Sequence, residues 1–289
     1  MTFRHFLPVA ISLAVLFCLN LLMISSLSPG LLVKQLIAWI IGIILFFVGR
    51  QIDPNTVKSS RTLIFVGSCF LVLLPIILNT ITRGSRRWID FGIGTIQPSE
   101  IIKPWLLLFL VNTKRTWLIA IPVIITLIQP DLGSALTILC LIIPFILYHR
   151  RSLKFAVILA LCLLILSPLI WKFALHDYQR HRIETFINPS LDPMGNGYNV
   201  IQSKIAIGSG GLFGKGYRKG TQGQLLFLPE KHTDFIFAGI TEELGILGAL
   251  LIIGSYGILP VTGIPLPFLS VGGSSIIALL FSLGIIYSS

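Results

Sequence analysis

The sequence predicts an all-α fold, a polytopic bundle of transmembrane helices in a single domain that spans residues 1–289. Of the 289 residues, 54% are hydrophobic and only 11% are charged, and the mean hydropathy is +0.90. Soluble domains carry about 25% charged residues, whereas here the apolar residues form runs close to the spanning length of about 20 residues. This composition excludes a soluble enzyme.

The apolar runs predict about 8 to 9 membrane segments. Long runs lie near residues 8–27, 31–49, 62–81, 132–149, 155–174, 235–257 and 274–288, and shorter ones near 99–112 and 117–128. The first run lacks a cleavage site of small residues, which favours a transmembrane helix over a signal peptide. Between the fifth and sixth long runs lies a polar, glycine-rich loop, 175–234, whose apolar part 200–207 predicts a re-entrant or interfacial helix.

The connectors between these segments indicate the topology, because Lys and Arg concentrate in cytoplasmic loops. Alternate connectors carry them, whereas the connectors SLSPG and QPDLGS carry none. The basic residues are Arg4, Arg50, Lys58, Arg61, Lys114, Arg115, Arg150, Arg151 and Lys154. We therefore expect a cytoplasmic N-terminus and an extracytoplasmic 175–234 loop. The net charge of +11 is spread over short connectors, which favours contact with membrane lipids over nucleic acid.

One outer connector breaks this charge rule, because the segment ITRGSRRWIDFG contains Arg83, Arg86 and Arg87. Guanidinium groups beside Trp88 can bind a phosphate or carboxylate through paired hydrogen bonds. The same cluster can instead lie among anionic lipid headgroups. Composition alone leaves both interpretations open.

Ionisable residues within membrane segments are costly and are therefore candidates for a function. Glu100 and Lys103 are three residues apart, on one helix face, and can form an ion pair. Asp131 lies where the next helix begins. The alternative is purely structural, with an internal ion pair and a carboxylate that caps a helix.

The segment LPEKHTDFIFAGITEELG contains the strongest candidate for catalysis. Asp234 is its last polar residue before an apolar run, which predicts a half-desolvated carboxylate at the outer membrane face. Partial burial disfavours the charged form and makes a carboxylate a better general base, while Lys231 and His232 can position an anionic substrate. The alternative is helix capping by Asp234, with Glu242 and Glu243 facing a polar interior.

A metal site is the weaker hypothesis for this segment. Glu230, His232 and Asp234 alternate along the chain, as three ligands on an extended strand would. The spacing of known zinc motifs is absent, so the sequence predicts no dedicated metal site and at most a loosely held divalent cation.

Several long motifs occur together and in order along most of the chain. They are RGSRRWIDFGIGTIQPSEIIK, LIQPDLGSAL, HDYQRHRIETFINP, YNVIQSKIAIGSGGLFGKGYRKGTQGQLLFLPEKHTDFIFAGITEELG and ILPVTGIPLPFLSVGGSS. With these motifs the chain resembles the SEDS family (shape, elongation, division and sporulation proteins), and most of all its rod-shape members.

The resemblance implies an inverting peptidoglycan glycosyltransferase that polymerises lipid II during cell elongation, at the outer face of the bacterial cytoplasmic (inner) membrane. It implies that Asp234 is the catalytic carboxylate, and that Trp88, Glu100 and Lys103 are functional positions. We add Arg86, Arg87, Asp131, Lys204 and His232 as substrate-binding candidates, with a divalent cation (Mg²⁺ or Mn²⁺) as the one cofactor to consider. The implied partners are lipid II, a class B penicillin-binding protein and the elongation machinery.

The chain departs from the family near residue 257, where GITEELGILGALLIIGSYG runs directly into ILPVTGIPLP. The resemblance implies ten transmembrane helices, and against it roughly fifty residues are expected to be missing here, namely the end of the eighth helix, a basic cytoplasmic loop and most of the ninth helix, a span being about 20 residues. A single helix from Asp234 to about Leu259 would invert the final helix, whereas a re-entrant hairpin around Gly254 and Gly257 would keep its orientation. The functional alternatives are a lipid II flippase and a non-catalytic scaffold that retains its partner contacts.

Overall fold

The computed structural model describes residues 3–79, 87–90, 95–113, 115–129, 131–141, 161, 165, 168, 172, 177–225, 227–228, 232–256 and 268–288. These residues are mostly helical. They divide into two compact units. The first unit contains Met1 and residues 36–160 and 273–289, and the second contains residues 2–35 and 161–272. The predicted helix 155–174 lies almost entirely outside the described residues, as does the second half of the predicted helix 132–149.

Twelve α-helices, three short 3-10 helices and one short hairpin have their bounds within the described residues. The helices are α1 (Phe3–Leu27), α2 (Leu32–Arg50), α3 (Pro54–Ser59), α4 (Arg61–Ile77), α5 (Pro98–Val111), α6 (Ala120–Ile128), α7 (Leu132–Cys140), α8 (Asp177–Ile187), α9 (Asn196–Gly210), α10 (Thr221–Gln224), α11 (Ile236–Tyr256) and α12 (Gly273–Ile286). The hairpin pairs β1 (Ile89–Asp90) with β2 (Thr95–Ile96) in antiparallel register, Ile89 opposite Ile96.

Apolar side chains on the first helices face outward. Within the described residues, Leu7–Leu27 and Pro29–Arg50 are long and apolar enough to cross a membrane, each with a mean hydropathy of 2.5. Ile40, Ile44 and Phe47 on α2 are each more than half exposed. Large apolar patches on a protein surface require an apolar environment, and lipid chains provide one.

In the first unit, α4 to α7 share an apolar core. Phe65 of α4 stacks on Phe109 of α5, with 4.6 Å between the ring centroids. The side-chain amide of Gln129, at the end of α6, donates a hydrogen bond to the carbonyl oxygen of Val72. The core is formed by buried residues of α4, α5 and α7, together with Ile119 directly before α6: Phe65, Val72, Ile102, Leu106, Phe109, Leu110, Ile119 and Ile138.

The final helix, α12, packs parallel to α2. Near the start of both helices, a Cβ added to Gly273 would lie 3.4 Å from the Cβ of Ala38. Towards their ends, a Cβ added to Gly284 would lie only 2.2 Å from the carbonyl oxygen of Phe46. Because the contacts advance in the same direction along both helices, α2 and α12 begin at the same end of the helix pair.

Of the two alternatives for the chain after Asp234, the single continuous helix to about Leu259 does not form, because α11 is broken. Gly245 has φ 74° and ψ −178°, which is not helical. The second part of α11, residues 246–256, is about 16 Å long at 1.5 Å per residue, roughly half of the 30 Å hydrocarbon core. Residues 246–256 alone are too short to span the core, and residues 257–267, which include Gly257 of the alternative hairpin, lie outside the described residues. The parallel packing of α2 and α12 favours the alternative in which the final helix keeps its orientation.

Residues 211–216 satisfy the backbone groups that the break leaves without helical partners. Four hydrogen bonds of 2.9 to 3.2 Å join the two segments: Lys215 N to Glu242 O, Gly216 N to Glu243 O, Ile246 N to Gly211 O, and Leu247 N to Leu212 O. Buried backbone N–H and C=O groups require such partners. The glycine-rich loop in the sequence is therefore the partner of the break in α11.

We expect Gly245→Ala to destabilise the protein by about 2 kcal/mol or more, because a left-handed φ alone costs about 1–3 kcal/mol for other residues. A Cβ at this position would also lie 2.3 Å from the carbonyl oxygen of Leu212. Thermal unfolding in detergent measures the change. The matched control is Gly208→Ala on α9, where a Cβ meets no atom within 4 Å. A Gly245→Ala variant as stable as this control contradicts the prediction.

The parallel packing of α2 and α12 predicts that the chain ends in the cytoplasm, where the basic connector after α2 is expected. Green fluorescent protein fused after Ser289 should fluoresce, and alkaline phosphatase fused there should be inactive. Chains cut after Gly30 and fused to the same reporters provide the control, with the opposite result. Active phosphatase after Ser289 would mean that α12 is inverted.

Candidate active site

Asp234 lies in the second unit, in a turn that ends where α11 begins at Ile236. The side chain of Asp234 is half-buried. Three buried residues form a small apolar core beside it, namely Ala206 of α9, Leu228, and Ala238 of α11. Phe235 packs against this core. Asp234 is therefore carried by a turn whose following helix is packed firmly against α9.

A segment late in the chain holds the turn before Asp234. The backbone N–H of Val271 donates to the carbonyl oxygen of His232 at 2.8 Å, and the hydroxyl of Ser270 donates to the carbonyl oxygen of Thr233 at 2.8 Å. The motifs HTDF and PFLSVGG, far apart in the sequence, thus meet at the residues that immediately precede Asp234.

This late segment is anchored in turn to α1. The side-chain amide of Asn20 donates to the carbonyl oxygen of Leu269 at 2.6 Å. At the end of α1, the hydroxyl of Ser26 donates to the carboxylate of Glu243 at 2.6 Å. Asn20 and Ser26 are about 9 Å apart along the helix. The segment that holds the HTDF turn and the carboxylate of Glu243 are therefore anchored to α1 at two different levels.

Glu242 and Glu243, at the end of the first part of α11, are almost completely buried, with exposed fractions of 0% and 1%. The carboxylate of Glu242 accepts hydrogen bonds from Lys215 Nζ at 2.7 Å, from Thr221 Oγ1 at 3.0 Å, and from the backbone N–H groups of Gln222 and Gly223 at 2.9 and 3.2 Å. The carboxylates thus face polar partners, as the sequence predicted, and the partners belong to the segment 215–224 and to α1.

The polar residues of the first unit form a separate group around Asp131. As predicted, Asp131 caps a helix, because it accepts a hydrogen bond from the backbone N–H of Ser134 at 3.1 Å, in the first turn of α7. It also accepts from the side chain of Gln97 at 3.0 Å and pairs with Arg87 Nη1 at 3.4 Å. Arg87 Nε is buried and has no hydrogen-bond partner among the described residues.

Glu100 and Lys103 form the ion pair that their spacing predicts. Lys103 Nζ lies 2.6 Å from Glu100 Oε1, and the side chains are 20% and 21% exposed. Glu100 lies in the first turn of α5, where a carboxylate interacts favourably with the helix dipole. The pair is therefore satisfied locally, which leaves its functional role a prediction.

The remaining candidates are placed as follows. Trp88 is half-buried directly before β1, and Lys204 is exposed on α9. Arg86, Glu230 and Lys231 lie outside the described residues. Asp234, His232 and Lys204 belong to the second unit, whereas Arg87, Trp88, Glu100, Lys103 and Asp131 belong to the first. Among the described residues, no group of three His, Cys, Asp or Glu side chains could hold a metal ion.

Sequence reasoning missed two kinds of residue in this site. Gln97 and Ser134 surround Asp131. For Ser134 the tetrapeptide Asp-Leu-Gly-Ser at the start of α7 offered a signal, because Asp is a preferred N-cap residue, whereas Gln97 gave none. Ser26 and Gln224, which bind Glu243, gave no signal, because Ser26 is 217 positions away from its partner.

The sequence profile of the FtsW/RodA/SpoVE family, described as cell cycle proteins, matches residues 2–257 and 251–289. The two matches meet at residues 251–257, where the sequence predicts that residues are missing. Peptidoglycan glycosyltransferase MrdB of Escherichia coli (strain K12) is 34% identical over 324 aligned positions, which cover 91% of this chain and 86% of MrdB. Since this chain has 289 residues in all, that alignment contains many positions at which it has none.

Solved structures agree in fold. A chain described under "Structural coordination of polymerization and crosslinking by a peptidoglycan synthase complex" aligns with a TM-score of 0.75 and 25% identity, over 97% of this chain and 96% of that one. RodA of Thermus thermophilus aligns with a TM-score of 0.62 and 24% identity, over 96% and 94%, a likeness of fold. The predicted polytopic helical membrane fold is thus confirmed, and the chain belongs to the FtsW/RodA/SpoVE family, the SEDS proteins.

Proposed function

We propose that this chain polymerises lipid II into glycan strands during cell elongation, with Asp234 as its catalytic base. The predicted class of enzyme is confirmed, since relatives at 34% identity are named peptidoglycan glycosyltransferases. The observation that supports the assignment of Asp234 is its position: a half-buried carboxylate directly follows two backbone carbonyls that the 270–271 segment fixes by hydrogen bonds of 2.8 Å.

In the proposed reaction, the carboxylate of Asp234 removes the proton of the acceptor sugar 4-hydroxyl. That oxygen attacks the anomeric carbon of the donor, and the bond from this carbon to the pyrophosphate oxygen breaks. Undecaprenyl pyrophosphate leaves with the bonding electron pair, and the configuration at the anomeric carbon is inverted. A catalytic base that is held in place favours a reactive geometry. The anchored turn holds Asp234 in this way.

The leaving pyrophosphate requires positive charge near its oxygens. We assign this role to Arg86, Arg87 and Lys204, with His232 and Trp88 orienting the substrate. Arg87 fits it because Asp131 holds one side of the guanidinium at 3.4 Å, while about a third of the arginine side chain, 34%, stays exposed. Asp131 holds this arginine in place, and Glu100 and Lys103 are proposed as further substrate-binding residues.

A divalent cation, Mg²⁺ or Mn²⁺, is proposed to arrive with the substrate pyrophosphate. Mg²⁺ is usually bound by phosphates and only one or two carboxylates. The described residues offer no group of three His, Cys, Asp or Glu side chains that would form a dedicated site. No step of the proposed reaction depends on the cation.

The proposed location is the bacterial cytoplasmic membrane, with a cytoplasmic N-terminus and Asp234 accessible from the outer face. The proposed protein partners are a class B penicillin-binding protein and the elongation machinery. The likeness to a chain of a peptidoglycan synthase complex that polymerises and crosslinks, at a TM-score of 0.75, supports an assembly of this kind.

Asp234→Asn should abolish polymerisation, with a fall in rate of about 10²- to 10⁴-fold, because an amide cannot act as a general base. The measurement is a gel ladder of glycan made from labelled lipid II, with the partner inactivated for its own chemistry. The matched control is Asp177→Asn, because Asp177 is a fully exposed carboxylate of the same 175–234 loop. This control should retain activity.

The same assay separates the two alternative functions. Full polymerisation by Asp234→Asn would contradict the role of Asp234. If the folded, partner-bound wild type makes no glycan, the non-catalytic scaffold becomes the favoured function. A flippase would move lipid II across vesicles without forming polymer, and its transport would depend on Glu100 and Lys103 rather than on Asp234.

Arg87→Lys should raise the KM for lipid II by about 10-fold, the equivalent of about 1.4 kcal/mol, because an ammonium cannot replace the forked hydrogen bonds of a guanidinium. Steady-state kinetics measure the change. Arg180→Lys is the matched control, since Arg180 pairs with the exposed Asp177 at 3.3 Å. Equal KM values for both variants and the wild type would remove Arg87 from the binding site.

A further inference from the structure

Glu242 stands out among the buried groups that the reaction does not use. It is a fully buried carboxylate at the end of the first part of α11, eight residues after Asp234. A buried charge is costly unless it is paired and hydrogen-bonded. The four donors around Glu242 satisfy it, and all of them come from residues 215–223.

The segment 215–223 is held in two ways, by backbone hydrogen bonds at the break in α11 and by the side chain of Glu242. Backbone hydrogen bonds join residues 215 and 216 to the carbonyl oxygens of Glu242 and Glu243 at 2.9 Å, and the side chain of Glu242 holds residues 215 and 221–223. A Cβ on Gly220 would lie 2.8 Å from Glu242 Oε2, so the segment follows the carboxylate closely. The first part of α11 therefore cannot shift without carrying this segment with it.

The other end of this short helix carries Asp234. The turn that contains Asp234 is held on one side by Ser270 and Val271, and on the other side it depends on where α11 begins. Residues 236–243 extend about 12 Å at 1.5 Å per residue, too short a helix to bend much. The position of its last turn, at Glu242, thus determines the position of its first turn, next to Asp234.

We propose that Glu242 is a positioning residue for Asp234, which acts by fixing the first part of α11 to the segment 215–223. This inference rests on the proposed function, because it gives Glu242 a role in the reaction that Asp234 performs. Glu242 itself does not touch the substrate in this role.

The neighbouring Glu243 provides a matched comparison, because its partners differ in kind. Glu243 accepts from the hydroxyl of Ser26 and from the side-chain amide of Gln224, and both groups can turn to present an acceptor. Two partners of Glu242 are backbone N–H groups and a third is an ammonium, which can only donate. Glutamine is therefore accommodated at position 243, whereas at position 242 its NH₂ group faces donors.

The experiment compares Glu242→Gln and Glu243→Gln with the wild type in the complex with the partner protein. Glu242→Gln should lower kcat for glycan synthesis by about 10- to 100-fold, as small misplacements of a reacting group do, and leave the KM for lipid II unchanged. Glu243→Gln should keep both constants close to those of the wild type. Lys215→Met, which removes one of the four donors to Glu242, should lie between the two.

A second measurement does not require activity. Asp234 is labelled with a water-soluble carbodiimide and an amine, and the modified peptide is quantified by mass spectrometry. Labelling should rise several-fold in Glu242→Gln and stay at the wild-type level in Glu243→Gln. If the wild type makes no glycan, the proposed function fails, and this labelling still decides the role of Glu242.

Wild-type kcat and wild-type labelling of Asp234 in Glu242→Gln would overturn the proposal. Equal losses in both glutamine variants, with equal falls in Tm, would overturn it as well, because they would show a structural role shared by both carboxylates.

Discussion

The exchange of backbone hydrogen bonds at Gly245 is the constraint on which the second unit depends. A helix that stops inside an apolar environment leaves N–H and C=O groups without partners, and each such group is costly. Residues 211–216 supply partners at 2.9 to 3.2 Å. Both segments of this contact require glycine, Gly245 on one side and Gly214 on the other. A Cβ on Gly214 would lie 2.2 Å from the carbonyl oxygen of Glu243.

The buried carboxylates of the protein are subject to a similar constraint, because they too need hydrogen-bond partners. Buried Glu242 is satisfied by an ammonium, a hydroxyl and backbone N–H groups, and Asp131 by Arg87, Gln97 and the start of α7. In each case one carboxylate joins segments that are distant in sequence. These carboxylates act as structural centres of their units, whereas Asp234 lies on a short turn between two anchored segments, as a group that must meet a substrate would.

Much of the fold was predictable from the sequence, because apolar runs determine where membrane helices form. The predicted runs 8–27, 31–49 and 274–288 correspond closely to α1, α2 and α12, and the pairing of Glu100 with Lys103 follows from helical spacing. The sequence did not predict helix α8, because most of its residues are polar and its apolar residues do not recur at helical spacing. The break at Gly245 was missed because a single glycine in an apolar run is compatible with a continuous helix, and only the partner segment 211–216 makes the break favourable.

The candidate site was predictable in part. The motif around Asp234 identified a turn before a helix, and the structure bears this out. The contacts that hold this turn were not predictable, because Asn20 binds Leu269 across 249 positions of sequence. Local patterns carry no information about such pairs, which depend on how distant helices pack.

The parallel packing of α2 and α12 has a consequence for how such a chain can change in evolution. A membrane protein tolerates the loss of a helical hairpin more easily than the loss of one helix, since a hairpin returns the chain to the side from which it came. The close approaches of Gly273 to Ala38 and of Gly284 to Phe46 are contacts that such a loss would leave intact.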